Sequence, residues 1–148
     1  MGPSPSDANS TDLSIKMNGL KVMLDTNALM VPEQFGVDIF AELERLGYHQ
    51  FLVPVPVLRE LSGLAAFADS GKDRFAAKVG LALAERCEAV EASGEADQSL
   101  LDLALERNVS VFTNDKELKK KLSSKGVTVI HLRQRRYLEI ASGRSFDV

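Results

Sequence analysis

Two acidic residues follow apolar runs of the sequence, at the positions where buried strands are predicted to end. Asp25 ends the run at residues 21–24, and Asp115 follows the run at residues 109–113. In folds whose strands alternate with helices, binding sites lie beyond the carboxyl ends of the strands. We therefore expect both carboxylates at a functional edge of the sheet.

Two more acids fall beside the apolar positions of predicted helices. Glu60 lies in a run where Val57, Leu61 and Leu64 recur at the spacing of one helical face. Asp97 is followed at the same kind of spacing by four apolar residues, Leu100, Leu101, Ala104 and Leu105. Since most charged residues of these helices point away from the core, we expect Glu60 and Asp97 to point toward it.

Each of the four acids also has a purely structural interpretation. Asp25 suits an Asx-type turn, Glu60 a border position, Asp97 the first turn of a helix, and Asp115 or Asn114 an N-cap. Burying several carboxylates together is costly, however, unless a cation neutralises them. Carboxylates without His or Cys favour hard ions, so the set predicts a site for Mg²⁺ or Mn²⁺.

The composition is that of a soluble globular protein. The 148 residues are 45% apolar and 26% charged, with a formal net charge of −3. The single cysteine, Cys87, excludes an intramolecular disulfide and a cysteine-based zinc site, and we expect it to be a buried structural thiol. The polar N-terminus is no secretory signal, and no apolar run reaches membrane-spanning length. We expect a cytoplasmic protein, without a membrane, with a disordered tail at residues 1–17 and one domain at residues 18–148.

The remaining pattern alternates strands with helices. Strands are predicted at residues 21–25, 50–55, 109–113 and 128–132, with a short fifth at residues 89–90. Helices are predicted after Asn27 and at residues 37–46, 56–67, 74–87, 95–107 and 115–124. Pro32 is expected to break the first helix after Val31, and the tail from residue 133 to hold one helical turn. This alternation predicts an α/β domain with a mainly parallel sheet of four to five strands, covered on both faces.

A strongly basic segment begins directly after Asp115. Residues 116–136 contain eight Lys and Arg and one acid, a charge of +7, which leaves −10 for the rest of the chain. A solvated helix face is the plain interpretation. A basic surface beside an acidic metal pocket also suits a polyanion whose phosphates dock there. We expect His131 to be structural and Tyr137 to pack rather than stack on a base.

Four sequence blocks together resemble the PIN-domain nucleases. They are LDTNAL with Asp25, VPVLRELSGL with Glu60, GEADQSLLDLAL with Asp97 and VFTNDKELKKKL with Asp115. The resemblance covers residues 21–136 and implies a PIN-like, Rossmann-like three-layer α/β/α fold. It also implies a Mg²⁺- or Mn²⁺-dependent endoribonuclease, in which a metal-activated water hydrolyses the phosphodiester to a 5′-phosphate and a 3′-hydroxyl.

The resemblance assigns roles to individual residues. It implies a catalytic set of Asp25, Glu60, Asp97 and Asp115, with Asp25, Asp97 and Asp115 as metal ligands. Asn27 and Thr113 would orient the acids or the substrate. Glu95 and Asp102 are rivals of Asp97, although Asp102 is expected to face solvent. The expected RNA-binding residues are Lys116, Lys119, Lys120, Arg133, Arg135 and Arg136.

The end of the domain, TVIHLRQRRYLEI, resembles the branch of PIN proteins that process ribosomal RNA. We therefore expect a role in RNA processing similar to rRNA maturation. A VapC-type ribonuclease toxin and a non-catalytic PIN-like RNA-binding scaffold are the alternatives. Expected partners are an RNA substrate, a second copy of the chain docked through the helices at residues 57–83, and an antitoxin or a ribosome-assembly protein.

Overall fold

A computed structural model describes residues 20–141 and shows one six-stranded sheet, in the order β3-β2-β1-β4-β5-β6. The strands are β1 (Leu20–Leu24), β2 (Tyr48–Pro54), β3 (Glu88–Val90), β4 (Ser110–Phe112), β5 (Val129–Arg133) and β6 (Tyr137–Ile140). The helices are α1 (Thr26–Phe35), α2 (Ile39–Arg45), α3 (Val55–Phe67), α4 (Gly71–Ala84), α5 (Ala96–Arg107) and α6 (Lys116–Ser124). Strands β1 to β5 are parallel, and only the pair β5–β6 is antiparallel. The predicted α/β fold with helices on both sides of a mainly parallel sheet is confirmed.

Strand β1 lies near the centre of the sheet, between β2 and β4. Its last three residues, Val22, Met23 and Leu24, are completely buried. Both faces of a parallel sheet are covered by crossover helices, so a central strand is apolar on both faces and does not alternate. The apolar run that predicts this strand therefore also places the residue after it, Asp25, at the edge of the core.

The sheet has six strands rather than four to five, because the basic tail folds back as a strand. Within residues 133–141 the chain forms a reverse turn and a strand instead of the predicted helical turn, and the rest of that predicted tail lies outside the described residues. Gln134 and Arg135 have left-handed φ angles of 53° and 59°, and the Arg136 N–H donates to the Arg133 carbonyl at 3.0 Å. This tight turn reverses the chain, so that β6 pairs with β5.

The outer edge of β6 is covered by two side chains of α2. The Leu138 N–H donates to the Glu42 carboxylate at 2.9 Å, and its carbonyl accepts from the Arg45 guanidinium at 2.7 Å. Glu42 and Arg45 also form an ion pair of 2.9 Å. These contacts satisfy backbone groups that an edge strand would otherwise present to another chain.

The predicted break at Pro32 is also wrong, because α1 continues through it to Phe35. Proline removes a single backbone bond, the one that its missing N–H would donate to the carbonyl of Ala28. The helix ends instead at Gly36, whose φ of 69° is left-handed and whose N–H donates to the Pro32 carbonyl at 2.9 Å. Helix α5 likewise ends at a left-handed residue, Asn108, whose φ is 56°.

Cys87 is half-buried, and burial raises the pKa of its thiol to about 12. A thiol with so high a pKa is not reactive at neutral pH. Within residues 20–141, none of the helices has both the length and the apolar character needed to cross a membrane. The predicted tail at residues 1–17 lies outside the described residues.

Candidate acidic site at the carboxyl edge of the sheet

The candidate site lies where the order of the strands reverses. From β1 the chain proceeds to β2 and β3 on one side, and β4 and β5 then extend the sheet on the other. Helices after neighbouring strands diverge at such a point and leave a crevice at the carboxyl edge. Asp25 follows β1, and Thr113, Asn114 and Asp115 follow β4. The LDTNAL block, which contains Asp25, and the VFTNDKELKKKL block, which contains Asp115, therefore meet, as predicted.

Asp25 is 3% exposed and is held by three hydrogen-bond donors. Its Oδ1 accepts from the Thr26 N–H at 2.7 Å, which makes it the N-cap of α1. Its Oδ2 accepts from Thr113 Oγ1 at 2.6 Å and from Asn27 Nδ2 at 2.9 Å. Asp25 is therefore both the local cap and the acceptor of a bond that joins β1 to the segment after β4.

Burial raises the pKa of Asp25 to about 6. Loss of hydration is the largest cause, and the hydrogen bonds from Thr113 and Thr26 oppose it because they stabilise the charged form. The negative charges of Asp97 and Glu60 raise the pKa further. The repulsion shows that acids from α3 and α5 lie close enough to Asp25 to share its electrostatic environment.

Asn27 and Thr113, the two predicted orienting residues, contact each other as well as Asp25. Asn27 Nδ2 lies 3.5 Å from Thr113 Oγ1, and Asn27 Oδ1 accepts from the Asn114 N–H at 2.9 Å. Thr113 Oγ1 accepts from the Asp115 N–H at 3.1 Å. These bonds fix the segment after β4 against the start of α1.

Glu60 is exposed rather than directed into the core. It precedes the buried Leu61, and adjacent helical residues point about 100° apart, which places Glu60 at the rim of the apolar face. Its Oε1 nevertheless accepts from Thr26 Oγ1 at 2.6 Å. Glu60 is thus tied to the residue that follows Asp25.

Asp97 is likewise exposed, in the first turn of α5. The buried face of that helix is formed by Ser99, Leu100, Leu103 and Ala104, whereas Leu105 is 47% exposed. The pKa of Asp97 is raised, first by partial desolvation and then by the charges of Asp115 and Glu60. All four predicted acids therefore interact through their charges.

The two rivals of Asp97 are placed differently. Asp102 is exposed, as expected, and accepts from Gln98 Nε2 on its own helix at 2.9 Å. Glu95 is exposed at the N-cap position of α5 and forms no capping bond through its side chain. Glu95 raises the pKa of Asp97, whereas Asp102 is not among the groups that do so. Asp97 is thus the one of the three whose pKa is raised by the charges of Asp115 and Glu60.

Asp115 also serves as a helix cap, since its Oδ1 accepts from the Leu118 N–H at 3.0 Å at the start of α6. The N-cap interpretation is confirmed for this residue. Its carboxylate has a second oxygen, so capping uses only half of its capacity to accept bonds.

The donor set fits a hard divalent cation. Within residues 20–141, no three Asp, Glu, His or Cys side chains converge closely enough to hold one ion. Mg²⁺, however, commonly takes one or two carboxylates and completes its shell with water and substrate phosphate. Four carboxylates that repel one another around a crevice suit that coordination.

Most of the predicted RNA-binding residues are exposed, and Lys119 instead contacts another side chain. Lys116, Lys120, Arg133, Arg135 and Arg136 are exposed. Lys119 differs, because it is half-buried and its Nζ lies 2.9 Å from His131 Nδ1. The exposed members therefore present most of this positive charge to solvent.

His131 connects three elements and has the structural role predicted for it. The Lys119 ammonium donates to Nδ1, so Nε2 carries the proton and donates to the Glu139 carboxylate on β6 at 2.8 Å. Burial and the charge of Lys116 lower the pKa of Lys119. Glu139 also accepts from the Arg133 guanidinium at 3.4 Å.

Two residues of the network have roles that the sequence patterns did not identify. Thr26 contacts both Asp25 and Glu60, and the only available signal was its position inside the LDTNAL block. The only role that the sequence predicts for Asn114 is that of a helix N-cap. Its Oδ1 accepts from the Leu132 N–H at 2.8 Å and so joins the site to β5. Contacts of this kind link residues that are distant in the chain, and periodicity does not report them.

Comparison with known proteins places these residues in a family context. The family model described as a PIN-like domain matches residues 22–135. Ribonuclease VapC9 of Archaeoglobus fulgidus is 37% identical over 112 residues, which cover 76% of this chain and 82% of the relative. Ribonuclease VapC4 of Methanocaldococcus jannaschii is 34% identical over 125 residues, which cover 81% of this chain and 95% of the relative.

Solved structures show the same fold. The PIN domain endonuclease Utp24 superposes with a TM-score of 0.66 at 22% identity, covering 81% of this chain and 90% of that one. DNA-bound VapBC from Salmonella typhimurium superposes with a TM-score of 0.56 at 20% identity, covering 76% and 98%. At these identities the likeness concerns the fold alone.

Proposed function

This chain belongs to the PIN-like domain family, and from that premise we propose that it is a divalent-metal-dependent endoribonuclease of the VapC type. The observation that carries the proposal is the buried Asp25, which is held by three donors at the strand-reversal crevice and repelled by Asp97 and Glu60. The two relatives that share more than a third of their aligned residues with this chain are named ribonucleases.

The relatives favour the VapC type over the role in rRNA processing that the sequence suggested. That expectation rested on the basic ending of the domain. VapC4 aligns over 95% of its length, and VapC9 over 82%. The likeness to Utp24, at 22% identity, supports only the fold. A VapC-type ribonuclease is therefore the function that we propose.

In this proposal Asp25, Asp97 and Asp115 would hold Mg²⁺ or Mn²⁺, one or two of them directly and the rest through bound water, with Glu60 completing the acidic set. The bound ion would supply Lewis acidity toward the scissile phosphate and lower the pKa of a bound water. Thr113, Asn27 and the Thr26 N–H fix both oxygens of Asp25, so its carboxylate is oriented before substrate arrives. Preorganisation of this kind spares the reaction the cost of ordering the carboxylate.

The exposed basic residues would dock the RNA backbone. Lys116 follows Asp115 directly, and Arg133, Arg135 and Arg136 lie at or beside the β5–β6 turn. Phosphate contacts by such residues position a strand without reading its sequence. We also propose an antitoxin-type protein partner, since the solved structures with this fold include VapBC assemblies. A second copy docked through α3 and α4 remains part of the proposal.

Cleavage of a structured RNA in Mn²⁺ tests the proposed function. We expect the wild-type protein to cut the RNA and to stop when EDTA removes the ion, and the Asp25→Asn variant to be inactive in Mn²⁺. Asp102→Asn is the matched control, because Asp102 is exposed on α5 outside the acidic group, and it should retain activity. If wild type and Asp25→Asn behave identically, and independently of metal, the non-catalytic scaffold is the better interpretation.

A further inference from the structure

Thr26 contacts two of the four acids, Asp25 and Glu60. It is the first residue of α1 and is 6% exposed. Its backbone N–H donates to Asp25 Oδ1 at 2.7 Å, and its hydroxyl lies 2.6 Å from Glu60 Oε1 on α3. Thr26 therefore joins a buried acid to an exposed one that lies 34 residues later in the chain.

The direction of the side-chain bond follows from the chemistry of its partners. An ionised carboxylate only accepts hydrogen bonds, so the Thr26 hydroxyl donates its one proton to Glu60. A bond between a hydroxyl and a carboxylate at 2.5–2.7 Å is of the short, charge-assisted kind, which is stronger than a bond between neutral groups. The Glu60 side chain is exposed and could otherwise change rotamer freely, so this bond restrains it.

The bond also distinguishes the two oxygens of Glu60. Oε1 is occupied by Thr26, and Oε2 forms no hydrogen bond to any residue between 20 and 141. We propose that Thr26 is a positioning residue, which holds Glu60 through Oε1 and presents Oε2 to the divalent cation or its water. This inference rests on the proposed ribonuclease function and deepens the description of the same site.

Two substitutions separate the hydroxyl from the rest of the side chain. Thr26→Val keeps the shape and removes the donor, whereas Thr26→Ser keeps the donor and removes a methyl group. Tyr48→Phe is the control for loss of a buried hydroxyl, because the Tyr48 hydroxyl bonds Ser110 Oγ at 2.7 Å and Tyr48 begins β2, at the opposite end from the site.

Four quantities are measured for each variant: Mn²⁺ affinity by calorimetry without RNA, kcat and KM for RNA cleavage in Mn²⁺, and Tm. Groups that orient metal ligands typically affect metal affinity or activity by about 10- to 100-fold when removed. We expect Thr26→Val to lose about tenfold or more in kcat or Mn²⁺ affinity while KM for RNA stays within about twofold. Thr26→Ser should restore most of the loss, and Tyr48→Phe should lower Tm alone.

The inference is overturned if Thr26→Val matches the wild-type protein in kcat and Mn²⁺ affinity, or if Val and Ser impair them equally. The first result assigns Thr26 to helix α1 alone, and the second shows that the packing of this side chain, rather than its hydroxyl, produces the effect. If the wild-type protein cleaves no RNA, the proposed function fails, whereas the Mn²⁺ affinities still decide the role of Thr26. If neither the wild-type protein nor the variants bind Mn²⁺, the proposed role of Thr26 is also overturned.

Discussion

Asp25 combines two opposing effects in one side chain. Burial removes water from its carboxylate and raises the pKa to about 6, while three donors at 2.6–2.9 Å favour the charged form. Its sequence position predicts an acid at a strand end, because an apolar run precedes it. The donors could be proposed only from the family blocks, and the geometry shows that Asn27 and Thr113 both bind Asp25 directly.

The raised pKa of Asp25 predicts a specific pH dependence of stability in the metal-free protein. The folded pKa of about 6 exceeds the ordinary aspartate value of 3.8, so the folded state binds the proton more tightly. Protonation of Asp25 therefore contributes to the free energy of unfolding. This contribution is complete below the unfolded pKa and is lost as pH rises through about 6, and its total is about 3 kcal/mol. The Asp25→Asn variant has no proton to lose at this position, so its free energy of unfolding should lack this pH-dependent contribution.

Urea unfolding at pH 4, 5, 6 and 7 in EDTA measures this difference. We expect the free energy of unfolding of the wild-type protein to fall relative to that of Asp25→Asn as pH rises. A constant difference between the two proteins over this range would show that Asp25 keeps an ordinary pKa. Mn²⁺ at pH 7 should then stabilise the wild type more than the variant, since only the wild type has the full set of ligands.

At the scale of elements, close packing of α4 on α1 depends on Gly80. A Cβ at this position would lie 2.9 Å from the Leu29 carbonyl oxygen and 3.3 Å from its carbon. Helix α1 begins at Thr26, directly after its N-cap Asp25. The helix that follows the site residue Asp25 is therefore packed against α4 at a position that has no room for a methyl group. Gly63, in α3, has nothing within 4 Å of the same added atom.

We therefore expect Gly80→Ala and Gly63→Ala to have opposite effects on stability. Gly80→Ala should destabilise by about 1–3 kcal/mol, because overpacking forces the backbone of α1 to move. Gly63→Ala should stabilise by about 0.5–1 kcal/mol, because alanine favours a helix and meets open space. Chemical denaturation measures both. If Gly80→Ala were as stable as Gly63→Ala, the packing of α4 on α1 would be looser than described.

The elements themselves were largely predictable, and the two errors have physical reasons. Apolar runs and 3.6-residue spacing located the parallel strands and most helices. Pro32 predicts a break, although a helix tolerates the loss of one bond when its other bonds remain. Strand β6 was missed because its turn uses Gln134 and Arg135 in left-handed conformations, where sequence reasoning expects glycine or asparagine.

At the scale of the whole molecule, the separation of charge predicts how RNA binds. Residues 116–136 carry +7 while the rest of the chain carries −10. The affinity for RNA should therefore fall steeply with salt, because lysine and arginine displace counterions from phosphates. The sequence predicts this segregation completely, but only the folded structure separates the exposed cations from Lys119, which is bonded to His131.

Lys120→Ala and Lys119→Ala, neighbours on α6, test that distinction. Removing one phosphate contact to single-stranded RNA lowers the slope of log K against log salt by about 0.7. We expect this change for Lys120→Ala and a smaller one for Lys119→Ala, measured by fluorescence anisotropy in EDTA. A larger change of slope for Lys119→Ala than for Lys120→Ala would show that Lys119 leaves His131 to bind phosphate.

The central claim is that four acids from separate elements form one divalent-metal site. Anomalous scattering from a crystal equilibrated with Mn²⁺ tests it most directly. We predict a peak at the carboxyl edge of β1 and β4, with oxygens of Asp25, Asp97 or Asp115 among the ligands. A crystal saturated with Mn²⁺ that shows no peak there, or a peak bound only by residues outside these acids, would contradict the claim.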